Sequence, residues 1–418
     1  METAFYGRAL RLMITCFFMS TVISSTAYAE EKLQSSASHG LDVMAPRGRW
    51  AARLEVRVNG YDKWYDEDGN LVDLDKKYDG LDLGSSIFPS LTVFGPGMSL
   101  GNMSIDSKVE NLFAELLVGY GLTDNLTLGL QLPFGRSRAA ANFSVSGGNI
   151  GFNPAFNPGV PIGAANFPFA PVGAGATEPV GTEGLQKILT DPAFGYGYKR
   201  IEETTVSGFS DPTVGILWRF HKGKHDSAIL GLGVRFGLAR EDDPDNLLDV
   251  PLGDGSTDLR ARVEYFRSLG AGFDARLLVE HNVQMEDHRT VRVPAPGELL
   301  ATSATKERVT RDLGDYFEYD VELGKSLANW RLSGTWHRYD KGSDRYGSGQ
   351  GTDTASLEKN TSVRADQWRA SISWSGIERW QRGNLPMPLI VKLEVQDTYS
   401  GMNFPNVRDY YLRVTSFF

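Results

Sequence analysis

From Trp50 onward, apolar and polar residues alternate one by one in segment after segment, and that period of two restricts the fold more than any other feature. Ala52, Leu54, Val56 and Val58 are apolar, while Arg53, Glu55, Arg57 and Asn59 between them are polar. Only a strand puts those two sets on opposite faces. The pattern predicts twelve strands: one from Trp50, then others near 109–120, 126–136, 211–221, 226–239, 257–267, 272–285, 315–325, 328–340, 364–376, 387–399 and 408–418. Most span about 10 to 13 residues, enough to cross a bilayer when tilted. Strands of soluble sandwiches average about 5 or 6.

The connections alternate between short and long. Gly121–Asn125, Lys222–His225, Ser268–Ala271 and Ser326–Leu327 are short, whereas 61–108, 137–210, 240–256, 286–314, 341–363 and 400–407 are long. One connection, 377–386, is longer than a tight turn. After the first thirty residues no segment approaches the roughly 18 to 20 apolar residues of a membrane-spanning helix, so a helical membrane protein is excluded. Sorting of loops by parity instead fits an all-β fold, an antiparallel transmembrane β-barrel of about 12 strands with short periplasmic turns and long extracellular loops. Apolar positions then face lipid, as do Leu259, Ala261, Val263 and Tyr265, and polar ones face the lumen. Trp and Tyr near strand ends would form interfacial girdles.

The N-terminus points to export. Arg8 and Arg11 precede an apolar run from Leu12 to Ile23, and Ala27-Tyr28-Ala29 offers a small-x-small cleavage pattern, so residues 1–29 are expected to be a signal peptide. Residues 30–45 read as a polar periplasmic leader, and 46–418 as the barrel with its long loop 137–210. Cys16, the chain's one cysteine, would leave with the signal. A net charge of -9 offers no basic field for nucleic acid. Alternation ending in Phe418 resembles the signal by which barrels reach the outer-membrane insertion machinery. The expected location is the outer membrane of a Gram-negative bacterium, among its lipid and lipopolysaccharide.

The inward positions are crowded with long charged side chains: Arg53, Arg57, Arg260, Arg262, Arg276, Arg331, Arg369, Lys392 and Arg413 beside Glu55, Glu115, Glu264, Glu280, Glu318, Asp320 and Glu394. Two readings stay open: a cross-lumen ion-pair network that braces the barrel, or a polar pathway whose charges select permeants. The segment 139–177 carries no charged residue and sets Phe143, Phe152, Phe156, Phe167 and Phe169 among Gly and Pro. Those rings either pack on one another or offer contacts to a hydrophobic ligand at the barrel mouth. A short helix is expected at 183–190.

An enzyme is not expected. His221 and His225 bracket a turn, Asp287-His288 lacks a second acidic pair, and no nucleophile can be assigned near His337. Nor is a metal or cofactor expected: Asp66, Asp68 and Asn70 have calcium-loop spacing but lack the loop's Gly and terminal Glu. Glu241, Asp242, Asp243 and Asp245 form an acidic stretch suited at most to divalent cations beside lipopolysaccharide.

Three segments, Tyr120-Gly-Leu-Thr-Asp-Asn-Leu126, Gly208-Phe-Ser-Asp-Pro-Thr-Val-Gly215 followed by Trp218-Arg219-Phe220, and Gly253-Asp-Gly-Ser-Thr-Asp-Leu259, resemble the outer-membrane family named "putative MetA-pathway of phenol degradation". In that family the second segment usually reads Gly-x-Gly-Asp, and Ser210 departs from it. The resemblance covers roughly 110–270 and implies a barrel with a loose link to uptake of aromatic or other hydrophobic compounds. The function expected is therefore a passive, selective channel for small, hydrophobic or aromatic molecules. The alternatives are a non-conducting structural or surface-binding barrel and, third, an outer-membrane hydrolase.

Overall fold

The computed structural model describes residues 44–296 and 298–418. The expected signal peptide and most of the leader lie outside the described residues. Twelve long strands follow: β1 Trp50–Tyr61, β2 Ser99–Thr123, β3 Leu126–Ser146, β4 Thr213–Lys222, β5 Asp226–Arg235, β6 Asp258–Gly270, β7 Phe273–Gln284, β8 Tyr316–Leu327, β9 Trp330–Lys341, β10 Val363–Ser375, β11 Leu389–Met402 and β12 Arg408–Phe417. Each pairs antiparallel with its neighbour in sequence, and β1 also pairs with β12, from Ala51↔Phe417 to Val58↔Tyr410, which closes the ring. The molecule is a closed twelve-stranded antiparallel barrel of the outer-membrane type. Closure matters physically because an open edge in hydrocarbon would leave backbone N–H and C=O groups without partners.

The alternation maps onto the two faces. Leu259, Val263, Leu277, Val279, Leu323, Leu332, Trp368 and Ile372 are exposed outward, while Asp258, Glu264, Glu280, Asp320, Glu322 and Arg331 are buried inward. At the short-turn end Trp50 packs on Tyr120, with ring centroids 4.9 Å apart, and Trp218, Phe273 and Trp330 stand exposed nearby. The turns are tight: Gly270-Ala271-Gly272 runs at positive φ, and a Cβ on Gly272 would lie 2.7 Å from the Ser326 carbonyl. The connection 377–386 contains a short helix, Ile377–Gln381.

Two expected boundaries are corrected. β2 starts at Ser99 and β3 runs to Ser146, pairing as far as Asn102↔Ser146, whereas β1 covers β2 only to Tyr61↔Val109. This hairpin rises past β1 by about ten residues, roughly 30 Å of strand. Its tip needs no lipid face, so Ser, Asn and Ala replace the apolar alternation that would have revealed it. The loop expected at 137–210 is accordingly shorter. It folds against the hairpin as a compact module around the helix α1, Gly181–Thr190. Leu185, Ile188 and Leu189, at i, i+3 and i+4, turn one apolar stripe onto Val145, Ile150 and Phe169. Leu91, Leu100, Ile150 and Ile188 are almost wholly buried there, and each contributes roughly 2 kcal/mol.

The second correction concerns β5, which ends at Arg235 rather than near 239. A Cβ on Gly237 would lie 2.1 Å from the Gly255 carbonyl, so the chain has already turned onto another segment there. Asp211 causes this turn: its buried carboxylate accepts from the backbone N–H of Ala239 at 2.7 Å and of Gly255 at 2.9 Å. Gly253 packs so close that a Cβ would meet Asp211 Oδ2 at 2.5 Å and Ser210 Oγ at 2.4 Å. Two of the three motif segments thus form one contact, which stitches the 236–257 loop to the wall. Asp211→Ala should orphan both amides at a cost of about 3 kcal/mol. Amide hydrogen exchange checks it: Ala239 and Gly255 should lose protection while the barrel strands keep theirs.

Candidate functional site

The lumen is braced by ion pairs that link neighbouring strands. Arg331 lies 2.5 Å from Asp274 and 2.6 Å from Glu322, and Arg276 reaches Glu264 at 3.0 Å and both Asp320 and Glu322 at 3.6 Å. Asp320 also meets His337 at 2.7 Å and Arg369 at 3.4 Å. Across the β1–β12 seam Arg413 pairs with Glu55 and lies 3.4 Å from Glu394, which holds Lys392 at 2.6 Å. Arg260 binds Glu280 at 2.5 Å, and Arg262 pairs with Glu264. Arg57 sits 3.8 Å from Asp409 and over the Phe113 ring, while Glu115 accepts from Gln131. Glu318 stands opposite Glu280 in the β7–β8 register and has no ion pair among the described residues. Sequence parity placed all these side chains on one face, and the barrel brings them together. It could not say which carboxylate each cation would find, because that depends on strand stagger.

Away from the lumen, the loop rings meet one another. Phe143, Phe152, Phe167 and Phe169 belong to the cluster packed on α1, and Phe156 stacks on Phe194 at 6.4 Å. Of the histidines, His221 pairs with Asp226 at 3.0 Å in a turn, and Asp287, beside exposed His288, is held by Arg311 at 2.7 Å. Asp66 closes its own turn by accepting from the backbone of Asp68 and Asn70. The acidic stretch at 241–245 is met by cations from other loops. Lys199 binds Asp243 at 2.6 Å, and Arg292 and Lys306 hold Asp245 at 2.6 and 2.7 Å. Burial would raise the pKa of Asp245, but the hydrogen bonds from Lys306 and Arg292 outweigh it and hold the carboxyl below its usual range.

Motif and parity reading missed a cavity in the short-turn half of the lumen. In one transverse row across β2, β3, β4 and β5, Gly119 pairs with Gly129, Gly129 with Gly215 and Gly215 with Gly233. Four adjacent strands therefore present bare backbone to the lumen. The row borders a cavity of ≈ 210 Å³, which Leu117, Leu217 and Phe417 line with apolar surface and Arg53, Arg260 and Arg262 with charge. A trace of it was readable in the sequence: Gly119 and Gly129 are equidistant from Asp124, and Gly215 and Gly233 from Lys224, so each pair faces itself across its hairpin. Below the row, residues 44–49 lie along the β2–β3 turn. Ala45 N–H donates to Thr127 Oγ1 at 3.1 Å and Gly48 N–H to the Gly121 carbonyl at 2.7 Å, which makes Ala45 part of the cavity's floor. Gly121, in the first motif segment, is required by that contact, since a Cβ there would lie 2.1 Å from the Pro46 carbonyl.

A family model described as "Putative MetA-pathway of phenol degradation" matches residues 165–407. No curated protein matches. Among solved structures, an outer membrane channel from Pseudomonas putida is similar with a TM-score of 0.53 at 11% identity, over 93% of this chain and 100% of that one. A FadL homologue from Pseudomonas aeruginosa gives 0.34 at 9% identity, over 88% and 90%. The Ralstonia pickettii toluene transporter TbuX gives 0.35 at 8%, over 91% and 97%.

Proposed function

This chain belongs to the family "Putative MetA-pathway of phenol degradation", and from that membership and the lumen we propose a passive, selective outer-membrane channel for small hydrophobic or aromatic molecules. One observation carries the reading: a lumen otherwise crossed by ion pairs keeps a cavity of ≈ 210 Å³ whose wall is glycine backbone beside Leu117 and Leu217. Apolar surface next to a few placed polar groups is the usual make-up of a small-molecule site. The family's name and the similar fold of the Pseudomonas putida outer membrane channel support the same reading. In this reading the exposed apolar belt meets outer-membrane lipid, the long loops face lipopolysaccharide, and Phe418 serves in insertion. The residues 44–49 close the cavity toward the periplasm.

A second reading, a braced barrel that does not conduct, is favoured by the ion-pair network across the lumen. Planar-bilayer conductance separates the two. The folded protein should give small steps that toluene and benzyl alcohol reduce. Gly121→Val should enlarge them several-fold, because the side chain displaces the 44–49 segment without touching the lumen charges. Silence from both proteins, with folding confirmed by the gel shift of an unheated barrel, would leave the braced barrel as the function.

A further inference from the structure

The cavity is not electrically neutral. Three guanidinium groups and a single carboxylate, that of Glu280, line it. Glu280 is committed to Arg260, and Arg262 shares Glu264 with Arg276. Arg53 is different: among the described residues its guanidinium makes no ion pair and no hydrogen bond, and its Nε is buried without a partner. The Nε of Arg262 is likewise buried and unpartnered. Glu55, the strand neighbour of Arg53, offers it no ion pair, because Glu55 is taken by Arg413. Half-buried guanidinium groups with unspent donors favour an added anion, and a guanidinium fork matches a carboxylate with two parallel hydrogen bonds. The wall between the strands that carry Arg53 and Arg262, bare at Gly119, Gly129 and Gly215, accepts a flat apolar body against backbone.

We propose that this cavity is a binding site for a small aromatic monocarboxylate, its carboxylate held by Arg53 and Arg262 and its ring laid on the glycine row. The inference deepens the channel reading, on which it rests for the route by which the ligand arrives.

Calorimetric titration of the folded barrel in detergent with benzoate, and with benzyl alcohol as the uncharged control, tests it. Benzoate should bind about tenfold or more tighter than benzyl alcohol. Arg53→Met should remove that preference, Arg53→Lys should restore part of it, and Gly129→Phe should abolish binding of both. Should Arg53→Met fail to fold, the lysine and Gly129→Phe variants carry the comparison. Equal binding of the two probes, or benzoate binding unchanged in folded Arg53→Met, overturns the proposal. Conductance of the same preparations keeps the two readings apart. Steps without benzoate binding overturn only the carboxylate site, whereas benzoate binding without conductance overturns only the channel.

Discussion

Arg331→Met should destabilise the barrel by about 3 to 5 kcal/mol, the cost of breaking a buried ion pair from one side. Arg331 is 3% exposed, and its guanidinium joins Asp274 on β7 to Glu322 on β8. It also lies flat over Gly324, where a Cβ would collide with it. Without it, among the described residues Glu322 keeps one ion pair, with Arg276 at 3.6 Å, and the hydrogen bond donated by Thr335 Oγ1 at 3.3 Å, while Asp274 has no other ion pair. Two carboxylates then remain desolvated with too little positive charge. The triple variant Arg331→Met, Glu322→Gln, Asp274→Asn should recover most of the loss, because it removes the charges together with their partner. Urea unfolding in detergent, followed by the mobility difference between folded and unfolded barrel, measures both. If the single variant matched wild type, the lumen charges would be hydrated and the bracing role would be wrong.

Gly129→Phe should reduce conductance and solute flux by about tenfold while leaving stability within roughly 1 kcal/mol of wild type. A Cβ at Gly129 would find nothing nearer than 3.9 Å, so the ring enters the cavity and does not strike the wall. Gly215, its neighbour in the row, supplies the contrast. There a Cβ would lie 2.6 Å from the Leu232 carbonyl and 3.1 Å from the Gly233 Cα, so Gly215→Phe must move backbone. The first variant should fold and block, and the second should fold poorly. Liposome swelling with a neutral aromatic solute, set beside the folding gel, distinguishes these outcomes. Unchanged flux through folded Gly129→Phe would mean that permeants do not use this cavity.

The strands over the membrane were legible because lipid on one side and a polar lumen on the other force a strict period of two, as in Leu259–Tyr265 and Trp368–Trp374. The same physics explains the misread segments. At 99–108 and 137–146 the hairpin runs past the end of β1, where neither face is held to an apolar wall, and the alternation fades although the pairing continues. Phe143, Phe152, Phe167 and Phe169 were recognisable as apolar surface in want of a partner. That the partner is α1 and the hairpin itself depends on packing between segments far apart in sequence.

Period and loop parity by themselves determined a membrane barrel, its two faces and the sixteen lumen-facing candidates, because those properties follow from side-chain chemistry repeated along one strand at a time. Only the tertiary structure decided that Arg331 meets both Asp274 and Glu322, that Asp211 carries the 236–257 loop, and that four glycines from four strands line one cavity beside Arg53. Each of these depends on the stagger between strands, which ring closure sets and no single segment encodes.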